Sequence, residues 1–440
     1  MHPHAENEYD AVVVGAGAGG LFTAARLAQK GYRTLVVEAL DKVGGRASTD
    51  EIDGFKVNNG AIVIELGGVT EETFAEVGAK FDLRMPSPPI LYSIGGKTVD
   101  VTGGGWGFLL SKLTRQGAKL VTGLGAARND SGLPDEELST ADWVSKYTKN
   151  EGVHGIFRNM CASVFAVSST ELPARVFLTY FTRRSAFKKF GFCPAGTIGI
   201  WQSLAESIEG NGGQVWLSTQ ARSITVSDGK VTGIVVERDG VETSISAPVV
   251  ISDVGPSATV NLVGAESFNS DYVAQVDKGD RPCSMIAVNF ASQERLVDVP
   301  GMLSFAKSRR LAYIANFTEL CPEMAPDGWN LYVGGAIPEP SVGEFDADSE
   351  VELVMADLAD AIPNFDARTK VLSVNVTRGG WPPQRAVAGF DLPNTTPIDG
   401  LWNVGDGVKE YANGGTTACA ETAKIVAERV FEEFPLTSRV

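Results

Sequence analysis

Asp10-Ala11-Val12-Val13-Val14-Gly15-Ala16-Gly17-Ala18-Gly19-Gly20 is the stretch that decides how this chain is read. Residues 10–14 form an apolar run of strand length. Residues 21–30 follow with helical spacing, because Leu21, Ala24, Ala25, Leu27 and Ala28 make one apolar stripe. Gly31 is suited to end that helix. Residues 34–37 are a second apolar run, closed by Glu38 and Ala39. This is a βαβ unit, and its crossover is expected to be right-handed. Gly15-x-Gly17-x-x-Gly20 sits between strand and helix, where a dinucleotide pyrophosphate can be held. Gly15 allows the tight turn, Gly17 the approach of the backbone, and Gly20 the close helix–strand packing. The helix start, with Ala18 and Gly19, offers free N–H groups to the anion.

Glu38 lies 18 residues after Gly20. A carboxylate there accepts hydrogen bonds from a ribose and repels a 2′-phosphate. Asp41-Lys42-Val43-Gly44-Gly45-Arg46 follows at once. Its two glycines permit a second close backbone approach, and Arg46 can neutralise phosphate charge. A plain NAD-binding unit has no use for that second motif. Asn58-Asn59-Gly60-Ala61 ends a short strand pattern with residues small enough to lie under a flat ring. Near the other end, Leu401-Trp402-Asn403-Val404-Gly405-Asp406-Gly407 reads as a strand and turn. Asn413-Gly414-Gly415-Thr416-Thr417 then opens a closing helix over 418–434. Asp406 could bind a ribityl hydroxyl, and the helix start would favour negative charge on a reduced ring.

Composition narrows the rest. At 440 residues the chain can build two or three cores. Its net charge of −16 argues against nucleic acid and against adhesion to anionic membranes. Five cysteines, Cys161, Cys193, Cys283, Cys321 and Cys419, show no C-x-x-C spacing and suit a reducing cytoplasm. His2 and His4 stand in a polar amino-terminal stretch, which leaves His154, so no metal centre and no Ser-His-Asp triad is expected. Residues 141–189 read as mostly helical and 126–140 as a loop. Helix 201–209 is followed by strands at 214–217, 223–226 and 231–237, with Asp228-Gly229 and Asp239-Gly240 as hairpin turns. Residues 248–253 form a further buried strand. Strands at 284–290, 312–317 and 331–334 and a helix at 351–361 suggest a second sheet.

The motifs GAGAGG at 15–20, VGGR at 43–46 and WNVGDG…NGGTTACAETA within 402–423 resemble the flavin-dependent phytoene desaturase and amine oxidase superfamily. Residues 192–215 resemble the family's central return to its cofactor domain, and 248–256 is closer to the desaturase branch. The resemblance is specific over the first 65 residues, 192–262 and the last 60. It implies an α/β fold: a Rossmann-like FAD-binding domain of the type with two dinucleotide-binding motifs (GR2), plus a substrate domain with a mixed sheet and helices. The expected division is 1–70, 192–280 and 376–440 for FAD, and 71–191 and 281–375 for substrate. The resemblance also places the backbone of Ala221 and Arg222 against the adenine side. No cysteine fits a covalent flavin motif, so the FAD is expected to be non-covalent.

The activity so implied is an FAD-dependent dehydrogenase or desaturase. It would take hydride from an apolar or alicyclic small molecule, such as a cyclic ketone or isoprenoid, to flavin N5. Oxygen or another acceptor would then reoxidise the cofactor. The alternatives are a flavin amine oxidase and a non-redox flavin isomerase. Rab-escort-like binding proteins also resemble this fold, but the intact glycines, Glu38 and Asp406 speak against them. Tyr411 is the expected base or substrate orienter, with a packing role as its alternative. Trp381 is either a cavity wall or a core residue. Residues 175–192 mix Arg183, Arg184, Lys188 and Lys189 with aromatics. A helix with one core face is the favoured reading there, over a membrane entry helix.

Overall fold

Four consecutive buried aliphatics, Ala11–Val14, need apolar cover on both faces, which a central strand of a covered parallel sheet supplies. In the computed structural model, which describes residues 7–94, 96–100, 134, 137–182 and 189–436, that strand is the middle of five. The order is Leu401–Asn403, Val250–Ser252, Ala11–Val14, Thr34–Val37 and Gln214–Trp216, every pair parallel. Val12 is in register with Leu35 on one side and Val250 on the other. The strand ends are aligned by hydrogen bonds from Gly15 N–H to Val37 C=O (2.8 Å) and from Asp253 N–H to Val14 C=O (2.8 Å).

One face of this sheet is covered by helices Ala18–Gln29, Ile198–Gly210 and Gly415–Glu433, whose Leu21, Phe22, Trp201, Leu204, Ala423 and Val426 share one core. Phe22 meets Phe74 and Trp201 edge-on at 5.8 Å each. Fully buried aromatics of this kind stabilise by about 3–5 kcal/mol relative to alanine. The other face is covered by an antiparallel sheet, Thr219–Ser227, Lys230–Arg238 and Val241–Ser246, through Ile224, Ile234, Val236 and Ile245. Its turns place Asp228 at φ 51° and Asp239 at φ 53°, each followed by a glycine at positive φ, as the Asp-Gly pairs require.

A second, mixed sheet has seven strands. Its order is Lys370–Thr377, Met285–Ser292, Asn330–Ala336, Leu311–Asn316, Met302–Phe305, Ile90–Ile94 and Lys97–Val99. All pairs are antiparallel except Met302–Phe305 with Ile90–Ile94. Helices Thr140–Ser145, Glu151–Phe165 and Ala174–Thr182 build a core on one face. Helix Ala347–Ala361 closes the other.

Element boundaries shift from the sequence reading by a few residues. The closing helix begins at Gly415 rather than 418, so its first turn contains Thr416 and Thr417. The small-residue segment ends a hairpin, Ala47–Ile52 with Phe55–Gly60. Within 175–192, Phe177, Tyr180 and Phe190 are core residues. Arg183, Arg184 and Lys188, the amphipathic stretch 106–113 and most of the 126–140 loop lie outside the described residues. All five cysteines are free and buried. Among the described residues, no helix is long and apolar enough to cross a membrane.

Candidate active site

The parallel sheet delivers its strand ends to one edge, where a cavity of about 370 Å³ opens. Glu38 ends the second strand, and its carboxylate accepts from Ala16 N–H (2.7 Å) and Leu40 N–H (2.9 Å). Ala39, Gly15, Gly17 and Ala18 continue the wall, then Gly44, Gly45 and Arg46, then Gly60 and Ala61, then Gly415 and Thr416. Asp406 and Trp381 also line it. Fourteen of the residues singled out from sequence thus share one wall, although they come from both ends of the chain.

The others do not reach the wall. Gly19, Gly20 and Gly405 pack behind it, and the Gly405 N–H is held by Thr422 Oγ1 (3.0 Å). Thr417 turns its N–H to Glu65, and the Asn59 side chain bonds Asp50. Ala221 and Arg222 lie on the antiparallel sheet. A bulge between Ala221 and Ser223 breaks the pairing there, and Arg222 is held at the surface by Glu237 (2.8 Å). That sheet touches the Glu38 end of the cavity earlier, where Thr219 N–H donates to Glu38 C=O (2.7 Å). Tyr411 is 40% exposed and forms no part of the wall.

Among the wall residues that were not anticipated, Glu65, Asp253, Tyr313, Gln384 and Arg385 carry the polar chemistry. Asp253 follows a parallel strand just as Glu38 does, and that spacing was its available signal. Glu65 closes the apolar run Ala61-Ile62-Val63-Ile64, where a lone acid is conspicuous. Tyr313 gave no signal, because all six residues of its strand are buried. Its ring lies over Gly335, directly across the ladder, where any Cβ would strike the phenol. No hydrogen-bond partner for the Tyr313 hydroxyl exists among the described residues, and burial pushes the phenol above its ordinary range. Tyr313 and Trp381 are the aromatic members of the wall.

Charge is concentrated at one end. Arg46 grips Asp406 with two parallel hydrogen bonds, Nη2 to Oδ1 (2.6 Å) and Nη1 to Oδ2 (3.0 Å). Burial alone would raise the Asp406 carboxyl, but Arg46 holds it well below the usual range. Asp406 also accepts from Arg385 N–H (2.9 Å). Lys409 is fully buried, faces Asp391 (3.1 Å) and donates to Asp406 C=O (2.6 Å), which fixes the turn. The Arg385 Nε is buried without a partner. Asp253 is pushed up to about 7 by burial, with Gly20 N–H and Arg46 pulling the other way.

Two helices start in this cavity, and neither has a side-chain N-cap. The N–H groups of Ala18 and Gly19 on one, and of Gly415 and Thr416 on the other, find no acceptor among the described residues. A Cβ on Gly17 would sit 2.5 Å from Asp253 Oδ2, so a side chain there must displace that carboxylate. Unmet amides at two helix starts, glycine-lined walls between them and a ribose-type glutamate at one end fit an extended dinucleotide. The remaining wall is largely apolar, with Ala162, Val164, Ala166, Met285, Ile62 and Val63, and carries Glu65, Ser163, Tyr313 and Gln384 as its polar members.

Comparison with known proteins agrees with this geometry. Residues 18–431 match the model of the flavin containing amine oxidoreductase family. Over 292 residues the chain is 29% identical to a neurosporene-forming phytoene desaturase of Rhodobacter capsulatus, covering 58% of this chain and 54% of that protein. The chain thus spans about half or less of the length of the curated relatives it matches. A solved oxidoreductase of Methanosarcina mazei superposes with a TM-score of 0.82 at 27% identity, covering 95% of this chain and 99% of that one. Cyclohexylamine oxidase of Brevibacterium oxydans shares the fold, with a TM-score of 0.65 at 14% identity over 96% of this chain and 99% of that one. With a match over nearly its whole length, and with homology on the desaturase side, this chain belongs to the flavin containing amine oxidoreductase family.

Proposed function

We propose that the protein is an FAD-dependent dehydrogenase or desaturase acting on an apolar or alicyclic small molecule, such as a cyclic ketone or isoprenoid. The observation that carries this reading is the division of one cavity wall. Its charged, glycine-rich part suits a dinucleotide, and its other part is largely apolar, with the Tyr313 phenol, Glu65 and Gln384 as its polar groups. Bound FAD would supply the hydride acceptor, with oxygen or another acceptor completing the cycle.

In this reading Glu38 holds the adenosine ribose. The free amides of the first helix and the unpartnered Arg385 hold the pyrophosphate, with the Arg46–Asp406 pair alongside. Gly60 and Ala61 give the ring a flat bed, and Gly415 and Thr416 offer it their amides. Tyr313 orients the substrate, and Trp381, 43% exposed, stands at the cavity mouth. The cofactor is non-covalent: Cys419 is the thiol in the wall, and burial holds it protonated, so it is a poor nucleophile.

The expected FAD domain, 1–70, 192–280 and 376–440, supplies every strand of the parallel sheet, and 71–191 with 281–375 supplies nearly all of the mixed sheet. A cytoplasmic site of action suits five free, buried thiols.

Anaerobic mixing of the purified protein with cyclic ketones, isoprenoids and amines tests the reading. A ketone or isoprenoid should bleach the flavin absorbance. Bleaching by amines alone would make the protein an amine oxidase instead, and a colourless protein that takes up no FAD would sink both.

A further inference from the structure

Glu65 opens on the cavity, and its surroundings are unusual for a carboxylate. It ends the two-residue strand Ile64–Glu65 and faces the first turn of helix Gly415–Glu433. Thr417 donates to its Oε2 through N–H (2.8 Å) and through the hydroxyl, and Thr416 Oγ1 lies 3.4 Å away. No charged side chain among the described residues acts on it. Burial pushes its carboxyl up and only the two threonines oppose this. From the elements packed around it, Thr416, Thr417 and Cys419 come from the helix, Gln384 from the segment opposite and Phe190 from its paired strand. Of these only Cys419 can ionise, and its thiol is held protonated. The charged groups of the wall, Glu38, Arg46, Asp253, Arg385 and Asp406, belong to the dinucleotide end.

A second observation marks this helix start as a ligand position. Gln384 is 5% exposed, and its Nε2 donates to Val164 C=O (3.1 Å), which fixes the carboxamide. Its Oε1 is buried with no partner and lies 3.5 Å from where a Cβ on Gly414 would stand. The helix start therefore presents unmet amides beside an unmet acceptor. An isoalloxazine edge, with its carbonyls and ring N–H, answers both.

We propose that Glu65 is the proton-binding group linked to reduction of the flavin, ionised beside the oxidised cofactor and protonated beside the reduced one. The proposal rests on the FAD reading above. An anion on the third amide already neutralises the positive end of the helix. Further negative charge at the same helix start is opposed unless Glu65 takes up a proton. The substrate loses one hydrogen as hydride, carrying two electrons, and its second hydrogen as a proton to solvent. One solvent proton enters the Glu65 carboxylate, so the net charge of the closed cavity is unchanged. Glu65 is thus a positioning residue for charge.

Spectroelectrochemical titration of the holoenzyme across pH tests this, together with a count of protons taken up on anaerobic photoreduction. The wild type should take up one more proton per two electrons than E65Q. The carboxamide of that variant would stay neutral yet still accept from Thr417 N–H. At alkaline pH E65Q should have a reduced-to-oxidised ratio at least tenfold higher at a given potential, which is about 30 mV for a two-electron couple. The variant T417V keeps Glu65 but removes a donor, so it should move the window of extra proton uptake to higher pH. Equal proton counts in wild type and E65Q would overturn the proposal. If E65Q fails to hold flavin, an unmoved pH profile in T417V would do the same. A wild type that binds no flavin would overturn the FAD reading itself.

Discussion

The first and last helices of the chain begin in the same cavity and are built alike, but their electrostatic settings are opposite. In each, the first two amides find no acceptor among the described residues, while the third faces a carboxylate from a distant element. Asp253 lies against Gly20, and Glu65 against Thr417. Around Asp253 stand Arg46 and Arg385, and around Glu65 no cation acts among the described residues. One start is equipped to hold a permanent anion, as a pyrophosphate is. The other suits a group whose charge changes. The same backbone device thus becomes a grip or a sensor according to the side chains beside it.

A break confined to cofactor binding should come from Gly17→Val. It drives a side chain into Asp253 and closes the first helix start only. FAD titrated into the apoprotein should bind at least a hundredfold more weakly, about 2.7 kcal/mol, while the melting temperature changes little. Arg46→Ala removes the cation between the two starts and leaves Asp406 buried without its fork. Loss of a buried pair costs about 3 kcal/mol, which urea denaturation will show as a lower midpoint at unchanged slope.

Asp253→Asn sharpens the contrast through pH. The folded carboxyl titrates at about 7 against an ordinary value near 3.9, so the folded state favours the protonated form. That contribution is complete below about pH 4 and is lost as pH rises through 7. The apoprotein should therefore lose up to about 4 kcal/mol of stability between these limits, and D253N should lack the slope. The smallest effect is reserved for residues outside both starts. Tyr313→Phe should lower turnover about tenfold with FAD affinity unchanged, and Tyr411→Phe should leave both within twofold. Equal losses for the two tyrosines would remove the distinction between wall and surface.

Much of this arrangement was legible in the chain before any coordinates. The strand–turn–helix at 10–30, the glutamate at the end of the second strand and the glycine pairs are local patterns, and the cavity gathers residues from each. What escaped notice depends on contacts between distant segments. Tyr313 enters the cavity because Gly335 sits across the ladder, and no reading of 311–316 alone can find that. Gln384 acquires meaning from Val164, and Glu65 from Thr417. Arg222 shows the reverse case. The resemblance placed its backbone beside the adenine, while a bulge next to it and Glu237 hold its side chain at the surface. Arg46 and Asp406, expected to serve separate parts of a ligand, are bonded to each other, because opposite charges meeting in a buried place satisfy one another first.

The packing of helix Ala18–Gln29 against helix Gly415–Glu433 has a consequence for synthesis. At roughly 5–20 residues per second, the first helix leaves the ribosome some tens of seconds before its partner exists. During that interval the stripe of Leu21, Phe22 and Ala25 waits for Ala420, Ala423 and Val426. Neither the central sheet, whose edge strand is Leu401–Asn403, nor the cavity at its edge can close until then. The nascent chain must therefore pass this interval with its first glycine-rich turn already made and its core open.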